Sequence, residues 1–163
     1  MFVKVTSAQQ IEIIERLARE IWTGHYTSIV GKEQISYMLS KFQSIQAISE
    51  QIANGALYFL IRTKGHSIGY MSVVPKENEL FLSKIYIESA HRGKGFARKA
   101  VLLAERIAKG HSLGKIVLTV NRNNLGAIRA YERLGFRNTG PVIQDIGHGF
   151  VMDDYRMEKI LSV

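Results

Sequence analysis

The sequence contains no cysteine in its 163 residues. That absence excludes disulfides, thiolate metal sites and any covalent thioester between enzyme and substrate. Proline is almost missing as well. Pro75 and Pro141 stand alone, and no Gly/Ser/Pro-rich stretch or charge block divides the chain, so a single domain over 1–163 is expected. No apolar run approaches the roughly 18 residues that would suggest a membrane span. Met1-Phe2-Val3-Lys4-Val5 passes straight into helix-start residues and lacks the apolar region and small-residue cleavage site of a secretory signal. A soluble, cytoplasmic protein that does not bind membranes is the expectation. His25, His66, His91, His111 and His148 show no H-E-x-x-H or similar ligand spacing, and no metal is expected.

Acidic residues are the minority charge, 14 against 22 lysines and arginines, for a formal net charge of +8. A field of that sign favours an anionic partner such as a phosphate, a nucleic acid or an acidic headgroup, and it serves solubility equally well.

The residue pattern sorts the chain into elements. Phe2–Val5 reads as a strand, and Thr6…Gln9 and Ser7…Gln10 both fit a capping box ahead of Ile14, Leu17, Ala18 and Ile21 at helical spacing. A second helix begins near Gly31, and Ser44 opens a third. From Leu57 the chain turns to short β-rich runs, Leu57–Arg62, Ser67–Val74 and Glu79–Glu88, which read as an antiparallel meander. Phe96, Ala100, Leu103, Ala104 and Ile107 restore helical spacing, and Lys115–Val120 is a short apolar strand. Asn124 starts another helix, ended by Gly135 in a left-handed position. The tail, Arg137 to Leu161, reads as two strands turning at Gly147-His148-Gly149.

Between the strand ending at Ile87 and the helix beginning at Phe96 lies Arg92-Gly93-Lys94-Gly95. Free amides at a helix start, together with the helix dipole, attract anions, and glycines let a ligand approach the backbone closely. Arg98 and Lys99 in the first turns oppose the dipole, a cost that a bound anion would relieve. The segment is not a P-loop, because G-x-x-x-x-G-K-[ST] is missing. Nor is it a dinucleotide fingerprint, because Arg98 stands where the third glycine belongs.

Two motifs together resemble the GNAT superfamily of N-acetyltransferases. The cofactor-loop pattern Q/R-x-x-G-x-G/A is matched by Arg92, Gly95 and Ala97, and N-x-x-A-x-x-x-Y-x-x-x-G-F by Asn124, Ala127, Tyr131, Gly135 and Phe136. The resemblance follows the order of elements over about 57–160 and is looser over the helical region 7–54. It implies an α/β fold of the α+β type, with a mixed, mostly antiparallel central sheet of about seven strands flanked by helices. It also implies acetyl-CoA as cosubstrate. The amides of Gly93, Lys94, Gly95, Phe96 and Ala97 would hold the pyrophosphate beside Arg92. Backbone of Ile85, Tyr86 and Ile87 would pair with pantetheine, Asn124 would contact the cofactor, and Arg133 would meet an outer phosphate.

Acetyl transfer from a thioester needs a neutral amine, a donor for the oxyanion and a proton for the departing thiolate. A main-chain N–H in Ile85–Ile87, freed by a bulge, is the candidate oxyanion donor. Tyr131 is the candidate acid: it holds the family's tyrosine position, and a phenol with an ordinary pKa of about 10 stays protonated at neutral pH. On spacing alone it reads equally as core packing. Many relatives place a carboxylate near the position that here reads Ser83-Lys84, so this chain departs from the pattern. Glu79, Glu88, His25 and the Asp153-Asp154 pair are each explained as solvated or turn charges, and a water-mediated or absent base is expected. The missing cysteine implies direct attack in a ternary complex.

The resemblance puts the acceptor against the first helices and last strands, which points to His25, Tyr26 and Tyr37, with Trp22, Phe42 and Tyr155 nearby. A break in the helix at Gly24 would let His25-Tyr26 line a pocket. The acceptor is then a small-molecule or peptide primary amine. Polyamines ask for a carboxylate cluster that the sequence does not display. The rival readings are a catalytically silent acyl-CoA sensor and a basic nucleic-acid-binding module, the second without a recognition motif. A monomer and a homodimer fit equally well.

Overall fold

The computed structural model describes residues 1–162. Strand β1 (Phe2–Lys4) precedes three helices, α1 (Ala8–Val30), α2 (Lys32–Phe42) and α3 (Ile45–Ala53). Strands β2 (Leu57–Thr63), β3 (His66–Pro75) and β4 (Leu80–Ile87) follow, and a single 3-10 turn (Ser89–His91) leads into α4 (Phe96–Gly110). The chain closes with β5 (Lys115–Asn121), α5 (Leu125–Arg133), β6 (Arg137–Gly147) and β7 (Phe150–Ile160). The seven strands lie in the order β1-β2-β3-β4-β5-β7-β6. The β4–β5 pair is parallel, and β1–β2, β2–β3, β5–β7 and β6–β7 are antiparallel. This is the mostly antiparallel, helix-flanked sheet that the resemblance implied. None of the helices in the described residues is long and apolar enough to cross a membrane.

Local chemistry accounts for the element ends. Of the two capping boxes the sequence offers, the one at Ser7 forms: Ser7 Oγ accepts from the Gln10 amide, and Gln10 Oε1 accepts from the Ser7 amide. Ser44 caps α3 by accepting from the Ala47 amide. Gly135, at φ 98°, ends α5 as expected. The β6–β7 turn holds Gly147, His148 and Gly149 all at positive φ.

The chain forms two compact units, Met1–Val74 with Lys84–Ala100, and Pro75–Ser83 with Val101 onward. In the first, α1 lays Ile14, Leu17, Ala18, Ile21 and Trp22 into one apolar cluster with Ile35 of α2, Ile48 of α3 and Tyr58, Leu60 and Tyr70 of the strands. Each fully buried aliphatic side chain there contributes about 1.5–3 kcal/mol. That burial explains why α1 continues unbroken through Gly24, where the sequence suggested a break. Glycine in a helix costs only about 1 kcal/mol against alanine, less than the packing on either side of it. In the second unit, β7 pairs with β5 over Lys115–Asn121 and with β6 on its other side. Pro141 sits in β6, the outermost strand, where a missing N–H is tolerated.

Candidate active site

In the first unit, β4 delivers the chain to the glycine turn. Buried positions on this strand change from even numbers (Leu80, Leu82) to odd (Ile87). Ile85 and Ile87 pack with Ile61, Ile68, Phe96 and Ala97, while Tyr86 joins the cluster of α1–α3. Side chains on both faces of this half of the strand are therefore packed. A glycine that the sequence did not single out accommodates this stretch. A Cβ on Gly69 would stand 2.2 Å from the Tyr86 carbonyl oxygen, so β3 meets β4 here only because position 69 has no side chain.

After β4, Arg92 Nε donates to the Ile87 carbonyl at 3.0 Å and ties the turn to the strand end. Gly93 and Gly95 take φ values of 76° and 85°, a region in which an L side chain is strained. Among the described residues, the amides of Gly93, Lys94, Gly95, Phe96, Ala97 and Arg98 donate to no protein acceptor, and the first inward helical bond is Lys99 N–H to the Gly95 carbonyl. Arg92, Lys94, Arg98 and Lys99 are exposed around them. Six free donors at the head of a four-turn helix, ringed by cations, suit a diphosphate. The residues present thus fit the phosphate portion of acetyl-CoA.

On the α1–α3 face of the same unit lies an aromatic group. His25 and Tyr26 meet edge-on with centroids 4.7 Å apart, Tyr26 lies 6.0 Å from Tyr86, and Trp22 lies 5.2 Å from Tyr86. Tyr86 continues to Tyr70 at 5.5 Å. The structure thus brings His25 and Tyr26 together with Tyr86 on an intact helix, while Tyr37 stands on α2 beside Lys41. Below them runs a polar network absent from the sequence reading. Tyr70 donates to Gln43 Oε1, Tyr58 donates to Gln51 Oε1, and Lys84 Nζ lies 3.3 Å from that same oxygen. Burial pushes the Tyr58 hydroxyl up to about 12, against partial relief from its Gln43 bond, and holds Tyr70 well above the ordinary value. Burial also brings the Lys84 ammonium down to about 8.

In the second unit, Asn124 is 5% exposed and caps α5: its side chain accepts from the Ala127 amide at 3.4 Å, and its own N–H donates to the Asn121 carbonyl. Tyr131 packs edge-on against Phe136 at 5.6 Å and is partly exposed. Arg133 is exposed at the end of α5. Lys159 of β7 donates to the Leu134 carbonyl at 2.7 Å and pairs with Glu105 of α4 at 2.7 Å, which fixes the last turn of α5.

The candidate bases separate. Glu79 is held by Arg156 at 3.2 Å and lies 3.9 Å from Lys115, Glu88 lies 3.7 Å from His91, and Asp153 pairs with Arg122 at 3.0 Å. Asp154 corrects the sequence reading. It is neither a turn residue nor solvated, but sits inside β7 at 5% exposure. Burial, with the neighbouring Asp153 charge, raises its carboxyl to about 6 despite a hydrogen bond from Thr119. Residue type and spacing gave no signal for this, since burial of one member of an Asp-Asp pair depends on which strand lies beside it.

The sequence model of the acetyltransferase (GNAT) family matches residues 14–136. The chain belongs to that family, whose acyl donor is acetyl-CoA. This GNAT chain is 23% identical over 157 residues to the spermidine N(1)-acetyltransferase of Thermoplasma acidophilum, covering 93% of its own length and 94% of the relative. It is 24% identical over 130 residues to human N-acetyltransferase 8B, covering 76% of its own length and 53% of that protein. It spans about half the length of the N-acetyltransferase 8B proteins of man and mouse, at 53% and 54%. Among solved structures, the PaiA N-acetyltransferase of Thermoplasma acidophilum in complex with coenzyme A superposes with a TM-score of 0.81 at 22% identity, over 98% of this chain and 99% of that one. That likeness establishes the GNAT fold.

Proposed function

We propose that the chain moves an acetyl group from acetyl-CoA directly to a primary amine of a small molecule or peptide, within a ternary complex. The observation that carries this reading is the run of six amides, Gly93 to Arg98, without protein acceptors behind two left-handed glycines, inside the segment matched by the family's sequence model. That match spans parts of both compact units, which supports treating 1–163 as one acetyltransferase domain.

In this reading the Gly93–Ala97 amides hold the pyrophosphate, with Arg92 and Lys94 adding positive charge. Backbone groups of Ile85, Tyr86 and Ile87 align the pantetheine arm, and one N–H among them donates to the oxyanion as the amine adds to the thioester carbonyl. β4 pairs with β5 at Leu80–Ile116 and Phe81–Val117, ahead of these residues, which supports a donor outside that ladder. Asn124 and Arg133 contact the cofactor, and the Tyr131 hydroxyl gives its proton to the departing thiolate. His25, Tyr26 and Tyr37 line the acceptor's entry. With no cysteine in the chain, a thioester on the enzyme is unavailable, so the amine attacks acetyl-CoA itself.

Acetyl-CoA consumption measured across spermidine, spermine, simple alkylamines and amino-terminal peptides tests the reading, alongside calorimetric titration of acetyl-CoA. Turnover of at least one amine with intersecting initial-rate patterns is expected. Failure to bind acetyl-CoA would defeat it, and parallel initial-rate lines would defeat the ternary complex.

A further inference from the structure

We infer that Lys84 sets the acceptor class: its ammonium receives a carboxylate carried by the acceptor, so the preferred substrate is an acid-bearing amine with an apolar body and not a polyamine. This rests on the acetyltransferase reading above. The parts all belong to the first compact unit. Lys84 and Tyr86 stand two residues apart on β4 and reach the same cluster: Tyr86 packs into it, and Lys84 Nζ lies 5.6 Å from the centre of the Tyr58 ring. Ile85, between them, begins the backbone stretch assigned to pantetheine, so the Lys84 side chain springs from the residue next to the donor's track. The cluster has a buried floor and an open rim. Trp22, Tyr58 and Tyr70 are at most 3% exposed, whereas His25, Tyr26, Lys84 and Tyr86 each keep part of their surface in solvent. Rim and floor are continuous: the Tyr86 ring lies 5.2 Å from Trp22, 6.0 Å from Tyr26 and 5.5 Å from Tyr70, and Tyr70 stacks with Tyr58 at 6.4 Å. Such a rim suits an apolar or aromatic body.

The polar network beside Lys84 closes without the cation. Gln51 Oε1, 3.3 Å from Lys84 Nζ, already accepts the Tyr58 hydroxyl, Gln51 Nε2 donates to the Phe42 carbonyl, and Tyr70 donates to Gln43 Oε1. An ammonium held against an amide and an aromatic ring is a desolvation cost, reflected in its descent to about 8, and an anion alongside relieves it. None of Trp22, His25, Tyr26, Tyr58, Tyr70 and Tyr86 is acidic. The second cation of a polyamine therefore meets a like charge among them and no carboxylate to receive it, whereas the carboxylate of an acid-bearing amine meets its complement.

The test uses two pairs of acceptors that differ only by a carboxylate, phenylalanine with phenethylamine and para-(aminomethyl)benzoate with benzylamine, together with spermidine. Wild type, Lys84→Met and Lys84→Gln are compared as full-length proteins at about pH 7, through kcat/KM for each amine and the acetyl-CoA Kd. In at least one pair, wild type is expected to prefer the acid-bearing member. Its kcat/KM should fall about 10- to 100-fold in both variants, the loss of one charge-assisted hydrogen bond. The decarboxylated partner and the acetyl-CoA Kd should stay within about threefold. The carboxylate's effect on the amine's own acidity is common to all three proteins and cancels in this comparison. A within-pair ratio that is the same in wild type and variants, for both pairs, overturns the inference and leaves Lys84 a residue that only shapes the site. Wild-type preference for spermidine over both acid-bearing amines overturns the substrate class, as does a wild type that binds acetyl-CoA but acetylates neither of them. A wild type that fails to bind acetyl-CoA overturns the underlying reading instead.

Discussion

The Gly93–Arg98 turn and the Asn124–Phe136 segment carry the two family motifs, and they differ in what they leave available to a ligand. In the turn, Gly93, Lys94, Gly95 and Arg98 are exposed and, among the described residues, the backbone amides have no protein acceptors, while Phe96 and Ala97 pack against Ile61, Ile68 and Ile87. In the second segment the motif residues are already engaged, with Asn124 capping α5, Tyr131 packed on Phe136 and Gly135 in its left-handed position. A glycine change in the turn should therefore alter binding at no stability cost beyond backbone strain, whereas changes in the helix should also remove a cap or packing.

The largest expected effect is at Tyr131, where the comparison is sharpest. Tyr131→Phe keeps the ring against Phe136 and removes only the hydroxyl, so kcat should fall by about 100-fold with the thermal midpoint nearly unchanged. An unchanged kcat, with chemistry rate-limiting, would return Tyr131 to a packing role. Gly95→Ala meets no atom within 4 Å, so its cost is the strained φ alone, about 1–2 kcal/mol. Acetyl-CoA affinity measured by titration should drop roughly tenfold, with a stability loss no larger than that strain. A large loss of stability would break the contrast between the two segments.

Asn124→Ala should lower stability by about 1 kcal/mol through loss of the cap, a shift of about 2–4 °C in the thermal midpoint, along with weaker cofactor binding. The last effect concerns pH. The folded protein holds Lys84 at about 8 against an ordinary 10.5. Between those values the unfolded chain keeps a proton that the folded chain has released, so stability rises with pH across that window. Below about 8 both forms are charged and the burial cost is complete. Lys84→Met should therefore be more stable than wild type at about pH 7, with an advantage that fades towards high pH in denaturant titrations. For Asp154 the sign is reversed: stability falls as pH rises from 3.8 to about 6.

The glycine turn was legible in the sequence because its requirement is local. Two left-handed residues before a helix can be read from residue types alone, as can the Ser7 and Ser44 caps and the Gly147-His148-Gly149 turn. The continuity of α1 through Gly24 was not, because a helical glycine's modest penalty is outweighed by Trp22 and its neighbours in a cluster that no local window contains. Gly69 was missed for the same reason. Nothing in Ile68-Gly69-Tyr70 announces that a carbonyl 17 positions downstream comes within 2.2 Å of where a Cβ would be.

By itself, then, the sequence determined the element order, the glycine turn ahead of α4 and the membership of the chain in an acetyltransferase family, since each depends on short-range periodicity, caps and spaced motifs. The tertiary structure decided that β7 rather than β6 lies beside β5, that Lys84 joins a buried Gln–Tyr network, and that Asp154 is buried beside Thr119. Strand order and the desolvation of a charge are set by partners distant in sequence, and a carboxylate's neighbours, more than its residue type, determine whether it can serve as a base.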